Sequence, residues 1–505
     1  MVANYTAQKK PHSDDPYAPG GKAGGRPDRA VTVYCNLIRK VYGKGAFIVA
    51  GGLEASLRKF AHYDYWSDSV RRPLLMDCGA SILVHGMGEG PIMKIARRID
   101  RLDAGNRRIT SEELVRSVND IPGVVYRTPK REPEPKGVEL PLAEKVACDS
   151  LAHARAYHIQ EINRDKLQWQ NCGGMRVIAN PPWMPSSQAE IDRIFDLSFT
   201  RDPHPMYGKT RIPALESVRF SITTHRGCFG GCAFCAIGAH QGKTIHSRSK
   251  AAILREVKRM VEHPAFRGTI SDVGGPTANM WELGCKLPTS CNRVSCLWPA
   301  QCKNLNADQK PYLDLLKEAG KVPGVKHLFV STGIRMDLAL SYEPLITALA
   351  LEHTSGELKV APEHISPSVL HLMRKPAGNE FRVFLEKHRA LSKRAGKKQF
   401  VLPYFIAAHP GCAVGDMLEL AEFLKREKII VEQCQIFTPT PGTASTVMYA
   451  TGLDPATLKP VYVEKDPIRK EMQKALILWH LPESRRLTEK LHRAESRDAK
   501  RRPLA

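Results

Sequence analysis

The sequence predicts an α/β protein whose larger part, from about residue 211, is a parallel sheet, either open or rolled into a partial barrel. Three observations carry this. Six apolar strand-like runs alternate with helix-like runs between residues 211 and 437, the pattern of repeated β–α units. Glycine and polar residues collect where those strand runs end, which is where α/β barrels place their chemistry. A chain of 505 residues, 42% hydrophobic and 25% charged, is also long enough to bury a large core.

Taken in order, residues 1–30 are rich in Pro, Gly, Lys and Asp and read as irregular. Residues 46–52 form an apolar run ending in Gly51-Gly52, and residues 81–90 repeat that design before a helix with Ile92, Ile95, Ala96 and Ile99 on one face. The pair predicts part of a parallel sheet, an incomplete Rossmann-like region over 1–125. The charged, Pro-rich stretch 127–145 reads as an exposed connection within a linker and helical segment over 126–210. The main domain is expected over 211–480, with a basic tail over 481–505. Its strands are expected at 217–224, 269–275, 327–333, 358–363, 399–408 and 429–437. Ser249 is expected to cap a helix presenting Ile253, Val257, Met260 and Val261, and Asn306 to cap a helix ending at Gly320. Further helices are expected through Ile346 and Leu349, around 384–395 and over 415–426. No internal repeat of fixed period is visible.

The first strand of the main domain runs into Thr224-His-Arg-Gly-Cys228-Phe-Gly-Gly-Cys232-Ala-Phe-Cys235. Three thiolates on one short loop converge on a cubane cluster, holding three of its four irons. Gly227, Gly230 and Gly231 let the backbone curl around an inorganic core. The fourth iron is then free for the amino and carboxylate groups of a small molecule. A structural zinc site is disfavoured, because it takes four ligands, usually in paired knuckles.

The chain carries 75 Lys and Arg against 52 Asp and Glu, a net charge of +23. Such a field suits nucleic acid, an acidic electron-donor protein, or simply a solvated basic surface, to which the segment from Arg485 to Arg502 contributes. The polar first ten residues show no apolar signal region, and no stretch reaches the ~18 apolar residues of a membrane span. A cytosolic protein is therefore expected, its 13 cysteines mostly reduced.

Cys228-x3-Cys232-x2-Cys235, with Phe234 before the last cysteine, matches the signature of radical S-adenosylmethionine (SAM) enzymes. The surrounding residues resemble the YgiQ (UPF0313) family of radical SAM proteins. The likeness lies in 221–237, Ala239-His-Gln-Gly-Lys243, Ser247-Arg-Ser249, Gly275-Pro-Thr-Ala-Asn-Met280, Lys359-Val-Ala-Pro-Glu-His364 and Lys397-Lys-Gln. It continues through Pro403-Tyr-Phe-Ile-Ala-Ala-His-Pro-Gly411, Phe437-Thr-Pro-Thr-Pro-Gly442 and Met448-Tyr-Ala-Thr-Gly452, and covers most of the chain from about 30 to 480.

The resemblance implies a (β/α)6 partial barrel, a [4Fe–4S] cluster on the three cysteines, and reductive cleavage of SAM to a 5′-deoxyadenosyl radical acting on an unknown substrate. It implies a low-potential electron donor such as flavodoxin or ferredoxin. By the same analogy Gly274 and Gly275 meet the SAM amino group, Ser331 or Arg335 its ribose or carboxylate, and Phe234 its adenine, unless Phe234 is core packing. Pro276 stands where the wider pattern has Glu, which puts one carboxylate contact in doubt. Gly51-Gly52 and Gly86-Met-Gly-Glu89 resemble the second half of a cobalamin-binding domain whose first half is missing from this sequence, so no cobalamin is expected. RNA modification is a candidate activity, from the basic charge and the Phe437–Gly442 string. The rival readings are a non-catalytic iron–sulfur redox sensor and a basic nucleic-acid-binding protein with structural cysteines.

Weaker signals remain. Cys285, Cys291, Cys296 and Cys302 are candidates for an auxiliary metal, or are free thiols in a long loop. Glu363, His364 and His409 either shape a pocket or are hydrogen-bonded structural groups. Cys434 reads as packing, and Tyr63-Asp-Tyr-Trp66 as surface or domain-contact structure.

Overall fold

The computed structural model describes residues 4–103, 109–287, 291–485 and 487, so most of the expected basic tail lies outside the described residues. The first layer is a six-stranded sheet built from β1 (Val49–Ala50), β2 (Ile82–Val84), β3 (Val124–Pro129), β4 (Val138–Leu140), β5 (Gln168–Cys172) and β6 (Met175–Ala179). Their order across the sheet is β1-β2-β3-β6-β5-β4. Successive side chains alternate between two buried clusters. Leu83, Val125 and Val177 face one; Ile82, Val84, Val124 and Ile178 face the other. Both faces are covered there, so residues 82–84, 124–126 and 177–179 read as apolar runs rather than as alternation. Each such side chain contributes about 1.5–3 kcal/mol on burial.

Two expectations are corrected here. Only β1–β2 and β4–β5 pair in parallel; β2–β3, β3–β6 and β5–β6 are antiparallel. The Rossmann-like reading therefore holds at its first two strands alone. The stretch 127–145 is not a simple linker, because it holds the end of β3, all of β4 and the start of the helix Ala143–Cys148. The β5–β6 hairpin turns on Gly173 and Gly174, with Gly173 at φ +59°, a two-residue turn that needs positive φ.

The second layer follows the expected alternation. Its strands are β7 (Ser221–Thr223), β8 (Thr269–Ile270), β9 (Asp272–Gly274), β10 (His327–Leu328), β11 (Glu357–Glu363), β12 (Phe400–Ala407) and β13 (Cys434–Ile436). Parallel pairings join β7 to β9, β8 to β10, β11 to β12 and β12 to β13, and a parallel bridge joins Ile334 to Val360. The strands thus neighbour one another in chain order. Helices α1 (Lys250–Val261), α2 (Lys310–Gly320), α3 (Glu343–Ala348), α4 (Pro367–Met373), α5 (Glu380–Arg394) and α6 (Val414–Arg426) alternate with them. Ser249 caps α1 as expected, its Oγ accepting from the Ala252 N–H at 3.1 Å, and Ile253, Val257 and Met260 are buried. Asn306 is not a cap. It pairs with Gly284 in a short hairpin, and α2 begins four residues later. The strand expected from 217 starts only at Ser221, because 215–218 coil into a helical turn that leaves Val218 half exposed.

The layers meet at named contacts. Glu161, on a first-layer helix (Ser150–Ile162), binds Arg374 through both carboxylate oxygens, at 2.6 and 2.9 Å. Tyr63, Tyr65 and Trp66 pack with Phe437 and Tyr449, so that aromatic stretch is an interlayer contact. No helix among the described residues is long and apolar enough to cross a membrane.

Candidate functional site

A cavity of about 380 Å³ opens where the parallel strands end. The loop after β7 gives it Cys228, Cys232, Phe234 and Cys235; the loop after β9 gives Pro276 and Thr277. The segment after β10 gives Gly333 to Asp337, and the end of β11 gives Glu363 and His364. These residues lie far apart in sequence and meet because parallel strands all end on one side.

The glycines of the cysteine loop are there for space. Gly227 has φ +88°, and a Cβ on it would stand 1.9 Å from the Thr244 carbonyl oxygen. At Gly231, with φ +63°, a Cβ would stand 2.4 Å from the Val294 carbonyl oxygen. A Cβ on Gly230 would enter the space between the thiols, 3.4 Å from Cys228 Sγ and 3.8 Å from Cys232 Sγ. Backbone bonds pin the loop: Cys228 N–H donates to Gly242 O at 3.1 Å, Ala233 N–H to Met373 O at 2.9 Å, and Ser445 N–H to Ala233 O at 2.9 Å.

First-layer turns cover the loop from outside. Arg226 Nη1 binds Glu89 Oε1 at 2.5 Å, and His240 Nδ1 meets Ser56 Oγ at 2.8 Å. The two glycine-rich turns singled out in the sequence, 51–52 and 86–89, therefore serve as the platform under the cysteine loop.

Burial pushes the Cys228 thiol up, and pushes the Cys235 thiol up to about 12 with help from neighbouring Cys232. Both therefore stay protonated at neutral pH in the metal-free chain, so a metal bound there would displace protons and would bind more strongly as pH rises. Among the described residues no three His, Cys, Asp or Glu side chains stand close enough to hold one metal ion. A four-iron cluster seats each thiolate on a different iron, and so spreads its ligands more widely than one ion does. The space that Gly230 leaves between two thiols suits such a group.

Arg335 is largely buried beside the thiols, its side chain 11% exposed. Its Nη1 lies 3.8 Å from Cys232 Sγ, while Nε and Nη2 donate to the Asp337 carboxylate at 2.9 and 2.6 Å. Buried Asn279 accepts from the Arg335 N–H at 2.8 Å and donates to its carbonyl at 3.1 Å. Burial works against the guanidinium charge, but Asp337 outweighs it and the Arg335 pKa is raised. Opposite stands Glu363, at φ +67°, its carboxyl pushed up by burial, with Lys375 Nζ at 3.9 Å.

The remaining sequence candidates divide. Phe234 lines the cavity and lies edge-on to His409 at 6.2 Å. Gly274 and Gly275 do not line it. The Gly274 carbonyl accepts from the Thr224 N–H at 2.6 Å, and a Cβ on Gly275 would strike the His225 ring at 2.5 Å. Ser331 is also turned away, its N–H donating to Asp272 Oδ1 and its hydroxyl to Ser271 O, both at 2.7 Å. His409 is a packed structural group: Nδ1–H donates to Pro410 O at 2.7 Å, Nε2 accepts from Ser445 Oγ at 2.6 Å, and burial lowers its pKa to about 3. Cys285, Cys291, Cys296 and Cys302 lie outside the cavity lining. Asp337, Lys375 and Thr277 were not singled out in the sequence. Lone polar residues after a strand give no signal until their partners are placed.

Residues 1–221 match the family described as Radical SAM N-terminal, and residues 432–499 match a domain of unknown function, DUF3362. A UPF0313 protein of Methanocella arvoryzae is 47% identical over 497 residues, covering 97% of this chain and 81% of the relative. A UPF0313 protein of Geobacter sulfurreducens is 46% identical over 496 residues, covering 96% and 80%. Among solved structures, the radical SAM methyltransferase TsrM of Kitasatospora setae, with cobalamin and a [4Fe–4S] cluster bound, aligns with a TM-score of 0.45 at 14% identity, covering 83% of this chain and 62% of that one.

Proposed function

This chain belongs to the UPF0313 family and to the radical SAM class of enzymes, and from that premise we propose that Cys228, Cys232 and Cys235 hold a [4Fe–4S] cluster beside which SAM binds. The observation that carries this is the opening of all three thiols onto one cavity at the ends of the parallel strands. When bound, the pair supplies one-electron cleavage of the sulfonium and a carbon radical for hydrogen abstraction from a substrate. In-order parallel pairing supports a (β/α)6 partial barrel as the frame.

The chain's own groups hold and screen that chemistry. Arg335 sets a fixed cation against Cys232, and Asp337 keeps it in place. Glu363, a buried carboxylate on the cavity wall, is suited to an ammonium group, and so makes up for the acidic residue that Pro276 replaces. Apolar Phe234, Ile237 and Met336 line the same space and limit water. The substrate is unidentified. The net charge of +23 supports a polyanion such as RNA, and equally the docking of an acidic electron donor.

The test is anaerobic reconstitution with iron and sulfide, then dithionite and SAM, with 5′-deoxyadenosine read by mass spectrometry. Product at even slow turnover is expected. A stable cluster that never yields it would sink the proposal.

A second measurement isolates Arg335. In Arg335→Gln the cluster is expected to assemble but to titrate at a lower midpoint, followed by electron paramagnetic resonance. A nearby unit charge is worth ~2–4 kcal/mol at an effective dielectric of ~20, and Asp337 offsets much of it. The net shift is expected on the order of 50 mV. An unchanged midpoint would show that the arginine only packs.

A further inference from the structure

We propose that Cys285, Cys291, Cys296 and Cys302 form a second, four-thiolate centre for a soft metal, either zinc or an iron–sulfur cluster, braced against the back of the first cysteine loop. The fold gathers them in one place. Cys285 lies in a two-residue strand opposite Leu305, and the Leu305 N–H donates to Cys302 O at 3.0 Å. The Cys302 N–H donates to Cys296 O at 2.8 Å. Cys291 Sγ accepts from the Arg293 N–H at 3.4 Å. Cys285, Cys291 and Cys302 all lie within electrostatic reach of Cys296, whose thiol pKa is raised, first of all by burial.

The surroundings suit a thiolate centre. Lys243 Nζ donates to the carbonyls of Cys291 and Arg293, both at 2.7 Å. Arg293 donates to the carbonyls of Ser295, Trp298 and Ala300. Lys243 also lies within electrostatic reach of the Cys296 thiol, so one cation stands near thiols that would carry negative charge when metallated. Cys285 and Cys291 are exposed, so neither is explained by packing, while Cys296 and Cys302 are half-buried. Among its described residues, the connection from β9 to α2 holds one 3-10 turn and one two-residue hairpin. A loop of this length without regular structure is uncommon in a compact domain unless something fixes it, and a tetrathiolate metal would do so.

The loop is also stitched to the first site. The Cys296 N–H donates to Phe229 O at 3.0 Å, and Ser295 Oγ donates to Gly230 O at 2.7 Å. With four protein ligands the second centre has no open position, so its role is to fix these bonds rather than to bind SAM. As at the first loop, no three of these thiols stand close enough to hold one ion, which favours a cluster, with its ligands spread over several irons, above a single zinc.

The experiment separates the two sites. Iron, zinc and acid-labile sulfide are measured in anaerobically purified full-length chain and in the triple variant Cys228→Ala/Cys232→Ala/Cys235→Ala. The triple variant is expected to retain about one zinc, or the iron and sulfide of one cluster, per chain. Cys285→Ser/Cys291→Ser in that background is expected to lose it. A triple variant free of zinc and iron overturns the proposal, whatever the first site does. Alkylation of the metal-loaded wild-type chain guards against misfolding of the variants. Cys285 and Cys291 are expected to react at least ten-fold more slowly than exposed Cys148, and to match it after chelation. Equal rates before chelation overturn the proposal as well.

Discussion

Cys232→Ala is expected to reduce 5′-deoxyadenosine formation by more than about 100-fold, since loss of a mere supporting residue around a metal already costs about 10–100-fold in affinity or activity. Cys228→Ala and Cys235→Ala are expected to match it, because in the proposed cluster each thiolate would hold a different iron, and two remaining ligands would leave two of the four irons without a protein bond. The informative control is Cys434→Ala. Cys434 is buried on β13 within the main core, and its thiol donates to the Gln435 carbonyl at 3.8 Å. Its replacement is expected to cost about 1 kcal/mol of stability and to leave product per bound cluster unchanged. If the three loop variants lost no more product than Cys434→Ala, the cluster assignment would fail. If all four lost it, a general thiol effect would be the cause.

The signature loop was legible in the sequence because its constraints are local. Three cysteines and three glycines lie within nine residues, and two of the glycines, Gly227 and Gly231, have a backbone neighbour that a Cβ would strike. The α/β alternation was legible for a related reason: helices cover the second layer, so its strands are apolar runs with clear ends. The first layer was harder. Its strands include Val124–Pro129, antiparallel to both neighbours, and the three-residue edge strand Val138–Leu140; both carry proline or charge, and composition there resembles a linker. The signal that marks the hairpin, the pair Gly173-Gly174, was available and carries the turn chemistry. Around the cavity, sequence position located Arg335 but not its neighbour. Analogy sent it toward a ligand, whereas Asp337, two residues on, holds it beside Cys232. Ser331 likewise has partners that the sequence did not show: Asp272 and Ser271, about sixty residues earlier, take both of its donors.

Arg374→Met is expected to destabilise the fold by about 3–5 kcal/mol in denaturant unfolding, the usual cost of stranding one partner of a buried ion pair. Its side chain is 6% exposed and that of Glu161 3%. Glu161 also accepts from the Tyr157 hydroxyl at 2.9 Å and from Arg164 at 3.3 Å, and neither replaces a bidentate guanidinium. Removing both charges, in Glu161→Leu/Arg374→Met, is expected to recover most of the loss, because the desolvation cost goes with them. Burial alone would raise the Glu161 pKa, but the Arg374 bonds hold it below the ordinary value. A depressed carboxylate pKa adds stability above the unfolded value of about 4.3 and loses it as pH falls through the folded one. The gap between wild type and the double variant is therefore expected to be constant from pH 6 to 8 and to change only below about pH 4.3. Arg374 follows directly on Met373, whose carbonyl accepts from Ala233 inside the cysteine loop. Loosening the bridge should therefore loosen the loop, and Arg374→Met is expected to bind less iron at temperatures where it is still folded. Full iron content in a destabilised Arg374→Met would confine the bridge to holding the two layers together.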